Sequence, residues 1–201
     1  MRELHLHQFV NSFFSSNTYI LHKEDEISAW LIDCGDFAPI IKWCEEKNKR
    51  IEGVFITHSH FDHIYGLNDL LDYNQDVQIY TSFNGSISLP SSRYNMSLYN
   101  ERPFEYKGKS IVLSDGDKVN LYEDVLLLVF STPGHDWSCL TYKVNKYLFT
   151  GDSYIPGMKV VAKFPKSDKQ QAVVSLSKIQ ALAEGCSFIC PGHVNIQRIS
   201  V

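Results

Sequence analysis

No apolar run in the sequence is longer than the six residues Val125–Phe130. A membrane-spanning helix requires ~20 such residues. The opening residues, MRELHLHQFV, lack the apolar centre of a secretory signal, so the cytoplasm is the expected address. Blocks of Lys or Arg are also missing. With 19 basic and 23 acidic residues the formal charge is -4, which argues against nucleic acid or an anionic membrane as a partner. Cysteine is sparse and unpaired in pattern. Cys34, Cys44, Cys139, Cys186 and Cys190 make an odd number with no CxxC spacing, so neither a disulfide framework nor a zinc ribbon is indicated. They read as small buried hydrophobes. Low-complexity stretches and Pro/Gly/Ser linkers are absent too, and residues 1–201 read as one domain. At 44% hydrophobic and 21% charged residues, the chain has ample material for a core and little tendency to disorder.

What is present begins with strand-like runs. Eight can be read: 19–21, 29–33, 53–57, 77–81, 110–113, 125–132, 146–150 and 186–190. Helical spacing falls between them. Asp36 is placed to cap a helix over 37–48 with Ile40, Ile41 and Cys44 on one face. Residues 62–71 carry Ile64, Leu67 and Leu71 at helical intervals. Ser167 or Asp168 opens the clearest helix, with Ala172, Leu176, Ile179 and Ala183 on one side and Gly185 as its stop. Sheets with helices packed outside them are the expected arrangement. One segment, 84–109, shows no clear periodicity yet carries Tyr94, Met96, Tyr99, Phe104 and Tyr106. It reads equally as a packed lid over a pocket or as a surface excursion stapled by its rings.

Chemistry concentrates where four strand-like runs end. GVFIT leads into His58-Ser-His60-Phe-Asp62-His63, and VLLLVFST into Pro133-Gly134-His135. KYLFT leads into Gly151-Asp152, and CSFIC into Pro191-Gly192-His193. Five of the eight histidines lie at these four ends, where open sheets gather ligands. Imidazoles and a carboxylate packed so closely are costly in a core without a cation to share. Their donor set suits Zn²⁺, Mn²⁺ or Fe²⁺, and the lack of thiolate argues against a structural zinc site. Five His and two Asp exceed one tetrahedral shell but suit two divalent ions that share a carboxylate and leave room for water. Such a site favours bound hydroxide at neutral pH.

The ordered set THSHFDH, TPGH, FTGD and PGH resembles the metallo-β-lactamase-fold superfamily, and within it the hydroxyacylglutathione hydrolase (glyoxalase II)-like branch. Residues 16–20 and 31–35 are similar to the opening hairpin and following turn of that fold. The resemblance implies an α/β (α+β) protein, a four-layer αββα sandwich of two mixed sheets with outer helices. It implies that His58, His60 and His135 hold one metal, that Asp62, His63 and His193 hold a second, and that Asp152 bridges them. Zinc is the first expectation, with manganese or iron as alternatives. Asp62 and Asp152 are the implied catalytic carboxylates. The implied activity is that of a binuclear hydrolase, in which a metal-bridging hydroxide attacks a small ester, thioester or lactone.

Departures from the family pattern narrow this. Asp152 stands where β-lactamases of the fold carry Cys, which points away from antibiotic hydrolysis. Glyoxalase II enzymes add a C-terminal helical domain, whereas this sequence ends eight residues after His193. Asp136-Trp137-Ser138 replaces the Thr-x-Gly turn that often follows the His at position 135. Two rival activities remain on the same fold. A mononuclear iron oxygenase, similar to persulfide dioxygenases, would use only His58, His135 and Asp152. A phosphodiester hydrolase is disfavoured by the acidic charge. Among lesser candidates, Asp33 reads either as an acceptor for a ligand imidazole or as a cap for the turn before Gly35. His5, His7 and His22 read as ordinary surface histidines. Phe13 and Phe14 either close over a substrate or tuck into the core, and Tyr154 either reaches the pocket or packs. A small-molecule substrate is the expected partner; oligomeric state is not readable.

Overall fold

Alternation within the strands decides how the layers stack. The computed structural model describes residues 3–199. The first sheet contains β1 (His5–Val10), β2 (Asn17–His22), β3 (Ser28–Ile32), β4 (Arg50–Phe55), β5 (Gln78–Ser82) and β6 (Ile111–Leu113), hydrogen-bonded in that order. The pairings β1–β2 and β2–β3 are antiparallel, and those from β3 to β6 are parallel. The second sheet contains β7 (Lys118–Tyr122), β8 (Val125–Ser131), β9 (Leu140–Val144), β10 (Tyr147–Gly151), β11 (Phe188–Pro191) and β12 (Gln197–Arg198), again in chain order. Only β10 and β11 pair in parallel there. Both sheets are therefore mixed.

Successive side chains on a strand point to opposite faces. Tyr19, Leu21, Trp30, Ile32 and Phe55 of the first sheet thus meet Leu127, Val129, Tyr142 and Phe149 of the second in one inter-sheet core. The alternate positions Ile20, Leu31 and Val54 face outward, onto Ile40, Ile41 and Cys44 of α1 (Phe37–Lys47) and Leu67 and Leu70 of α2 (Leu67–Tyr73). On the far side Leu148 and Ile189 pack against Ile179 of α4 (Lys169–Ala183). A short α3 (Phe83–Ser88) follows β5. The result is the expected αββα sandwich. No described helix is long and apolar enough to cross a membrane, and all five cysteines are buried and free.

The eight expected strands form; β1, β7, β9 and β12 are additional. The β9 sequence LTYKV alternates cleanly, with Leu140, Tyr142 and Val144 in the inter-sheet core, so its period-2 signal was available in the sequence. Helix boundaries differ in two places. The expected 62–71 helix is split into a 3-10 turn at Phe61–His63 and α2. Gly66 lies against the Gly35 backbone, where a Cβ would approach Gly35 O at 2.1 Å, and residues 60–64 are committed to the loop after β4. Asp36 precedes α1 but does not cap it with its side chain. Its carboxylate instead accepts from Ser12 N (2.7 Å), Ser12 Oγ (2.9 Å) and Tyr65 Oη (2.5 Å), tying the first hairpin to this layer. Asp168 caps α4 as expected, accepting from Gln170 N and Gln171 N.

Candidate metal centre

The four loops that leave β4, β8, β10 and β11 meet at one edge of the sandwich. Asp33, the residue after β3, organises the first of them. It sits in the left-handed region at φ 59°, which aims its carboxylate at the loop after β4. There it accepts from Thr57 N and Thr57 Oγ1, both at 2.7 Å, and from His63 Nδ1 at 2.9 Å. Of the two readings of Asp33, the acceptor for an imidazole is the one observed. Two glycines make the other loops possible. Gly151 adopts φ 49°, and a Cβ there would strike Thr57 Oγ1 at 2.6 Å. A Cβ on Gly192 would lie 2.1 Å from Asp152 Oδ1, so only glycine lets the β11 loop close over that carboxylate.

Three sets of potential ligand atoms converge, each set lying within 4.8 Å of itself: His58, His60, His135; His58, His63, Asp152; and Asp62, His63, His193. Asp152 reaches across the sets. Its Oδ2 is 3.5 Å from His135 Nε2 and 3.4 Å from His193 Nε2, and its Oδ1 is 3.6 Å from His63 Nε2. Asp62 Oδ2 lies 3.4 Å from His63 Nε2 and 3.5 Å from His193 Nε2.

Acceptors behind the rings fix their tautomers. His135 Nδ1 donates to Val161 O (2.8 Å), His193 Nδ1 to Phe14 O (3.0 Å) and His63 Nδ1 to Asp33. His58 Nδ1 faces Thr57 Oγ1 at 3.2 Å, whose own proton goes to Asp33. In each of these four rings Nε2 is the nitrogen turned inward. His60 differs: its Nδ1 faces His135 Nε2 at 3.0 Å. Buried Nε2 of His58 and His63, together with Asp152 Oδ1, have no hydrogen-bond partner. Buried polar atoms are normally satisfied, so converging orphans of the right donor type fit a divalent cation.

Electrostatics separates the two halves of the cluster. Burial, reinforced by neighbouring imidazoles, holds His58 well below its usual range and lowers His60 to about 3. Burial acts the same way on His63, but Asp62, Asp33 and Asp152 outweigh it and raise that imidazole to about 10. His193 is likewise raised, the bond to Asp152 overcoming burial. Asp152 is held well below the carboxylate range because His193 and His63 overcome its own burial.

The comparisons accord with this geometry. The sequence matches the metallo-β-lactamase superfamily over residues 11–193. The chain belongs to that superfamily. It is 29% identical over 180 residues to a hydroxyacylglutathione hydrolase of Citrobacter koseri, a match that covers 90% of this chain and 62% of the relative. The chain therefore spans under two thirds of the length of that enzyme. Among solved structures, the B3 metallo-β-lactamase BLEG-1 superposes with a TM-score of 0.87 at 21% identity, covering 96% of this chain and 94% of the other. ETHE1 from Myxococcus xanthus gives 0.75 at 22% identity, covering 96% and 79%.

Several residues around this superfamily site were not legible in the sequence. Ser138 Oγ lies 2.8 Å from Ser59 Oγ and accepts from Ser59 N (3.1 Å), while Asp136 Oδ1 accepts from Ser138 N (2.9 Å). The Asp-Trp-Ser departure thus clamps the loop after β4 onto the loop after β8. The 84–109 segment is tied to the loop after β4 through Asn95. Asn95, fully buried, accepts from Phe61 N through its carbonyl (2.9 Å) and donates from Nδ2 to Phe104 O (2.9 Å). Phe13 and Phe14 are exposed and meet Phe61 edge-on, beside the site and outside the core. Tyr154 packs with Ile179 on the outer face of the second sheet, away from the cluster. His22 is not a surface histidine: β2 is an interior strand, and His22 is buried edge-on against Trp43 of α1. His7 is exposed and His5 half-buried, as strand-edge residues are.

Proposed function

We propose that the protein is a binuclear metal-dependent hydrolase of small esters, thioesters or lactones. The observation that supports this reading is Asp152, whose carboxylate faces His135 on one side and His63 and His193 on the other. In this reading His58, His60 and His135 hold one ion, Asp62, His63 and His193 hold the other, and Asp152 neutralises both. When bound, the two divalent cations would supply an activated water and a Lewis acid for the acyl oxygen. The chain's own residues do the rest. The Nδ1 acceptors hold the rings with Nε2 turned inward, and Asp152 stays ionised among His63, His135 and His193, where it offers negative charge to both groups. Phe164, edge-on to His60 at 5.1 Å and to His135 at 5.5 Å, keeps bulk water from one side. The name of the Citrobacter koseri relative supports a hydroxyacyl thioester as the first substrate to try.

The test is a screen on protein of measured metal content. It includes hydroxyacyl thioesters, aryl esters, lactones, a β-lactam and a phosphodiester, with oxygen uptake followed in parallel. Turnover of an acyl substrate, abolished by chelation, is expected. Hydrolysis of the phosphodiester alone, or oxygen consumption with one iron per chain, would overturn the reading.

Proton release gives a second test. His63, raised to about 10, carries a proton at neutral pH in the metal-free protein and must lose it to present Nε2. His58 and His60, lowered by burial, have none to lose. Apparent affinity at the His63 group should therefore rise about tenfold per pH unit between neutrality and pH ~10. Isothermal titration in buffers of different ionisation enthalpy reads that proton directly. An affinity independent of pH would contradict the assignment of His63 as a ligand.

A further inference from the structure

Two cavities flank the metal-binding loops. The larger, about 640 Å³, is lined by Phe13, Phe61, Tyr65 and Arg102 among others, and takes in none of the seven cluster residues. The smaller, about 310 Å³, has His60 and Asp136 in one wall. Facing them are Arg93, Tyr94 and Met96 of the 84–109 segment and Lys166 of the loop before α4. A substrate held at the cluster beside His60 would extend into this smaller cavity.

Its charge is unbalanced. Lys23, Lys146 and Lys178 each pair with a carboxylate, on Asp124, Glu3 and Asp115. Among the described residues neither Arg93 nor Lys166 has such a partner. Lys166 is positioned by rings instead: its Nζ lies 4.0 Å from the Trp137 ring centre and 4.8 Å from that of Tyr94. The two rings meet edge-on at 5.8 Å, and Trp137 Nε1 donates to Ser88 Oγ at 3.0 Å. A cation over aromatic faces is oriented without being neutralised, so it keeps its charge for a ligand. Asp136 is the one carboxylate in this lining; it is buried, its Oδ1 accepts from Ser138 N and its Oδ2 faces His60, which leaves the two cations in excess. In the wall opposite, Met96 adopts φ 67° between the buried Asn95 and Ser97, and strain of this kind gathers at ligand clamps.

We propose that Arg93 and Lys166 form a carboxylate-recognition site, and that the substrate is an acyl ester or thioester bearing a carboxylate beyond the scissile bond. The reaction rests on the hydrolase reading above; the anion site stands on the cavity and its two unpaired cations.

Calorimetric binding to the metal-loaded protein tests the site apart from turnover. The probes are glutaric acid monoanilide, which ends in a carboxylate, and its methyl ester, which does not. Wild type should bind the acid at least ~10-fold more tightly, as expected for charge-assisted contacts. In the double variant Arg93→Gln, Lys166→Met the two probes should bind within ~2-fold of each other, with metal content unchanged. Equal binding by wild type, or discrimination retained in the double variant, overturns the proposal. The 4-nitrophenyl monoester of glutaric acid and its methyl-capped counterpart add a kinetic readout. The variant should raise KM for the first ~10-fold, leave its kcat in place and spare the second. If neither ester turns over while the anilides are still discriminated, the hydrolase reading fails and the anion site survives.

Discussion

Asp152→Ala is expected to strip most of the metal from both groups and to lower turnover about 10²-fold or more, the scale of losing one preorganised electrostatic contact. Among the described residues, this carboxylate is the one that faces His63, His135 and His193 together, at 3.4 to 3.6 Å. Without it, two dications would share only the Asp62 carboxylate among mutually repelling neighbours. Asp152→Asn separates charge from shape, because the amide fills the same space under Gly192 but returns no negative charge. It should lose metal nearly as badly as alanine. Elemental analysis and steady-state rates read both effects; a variant that keeps two ions and near-normal turnover would remove Asp152 from the bridge.

Asp33→Ala should be strongly damaging although Asp33 is not one of the seven cluster residues. It removes the acceptor of three buried donors, Thr57 N, Thr57 Oγ1 and the His63 Nδ1 proton. Each donor left unsatisfied in the interior costs ~1–3 kcal/mol. A loss of about 2–5 kcal/mol is expected after partial rehydration, seen as a lower urea midpoint in metal-free protein. The freed His63 ring should also weaken metal binding at its group ~10- to 100-fold, the usual effect of losing a partner behind a ligand. Undiminished metal affinity would show that the ring is held by packing alone.

The seven cluster residues were legible because short-range sequence records them. Strand ends carry His and Asp next to turn residues, and the parallel and hairpin connections bring those ends to one edge. The supporting residues were less legible because they act across the chain. Thr57 and Asp33 are 24 positions apart, and Ser59 and Ser138 are 79 apart; no local pattern links either pair. Asp36 shows the opposite error. Its local signature is that of a helix cap, yet Ser12 and Tyr65 compete for the carboxylate and win it. In 84–109 the aromatics signalled burial only in part: Tyr106 is buried, whereas Tyr99 is 76% exposed. The segment is held instead by Asn95 and Ser97, two buried polar residues that donate to Phe104 O and that no local pattern singles out.

Metal stoichiometry in wild type and His63→Ala tests the central claim most directly. His63 belongs to the second group and has no place in a single-ion site made of His58, His135 and Asp152. The account predicts two ions per chain in wild type and about one in the variant, by elemental analysis of protein purified without added chelator. One ion per chain in both proteins would contradict it.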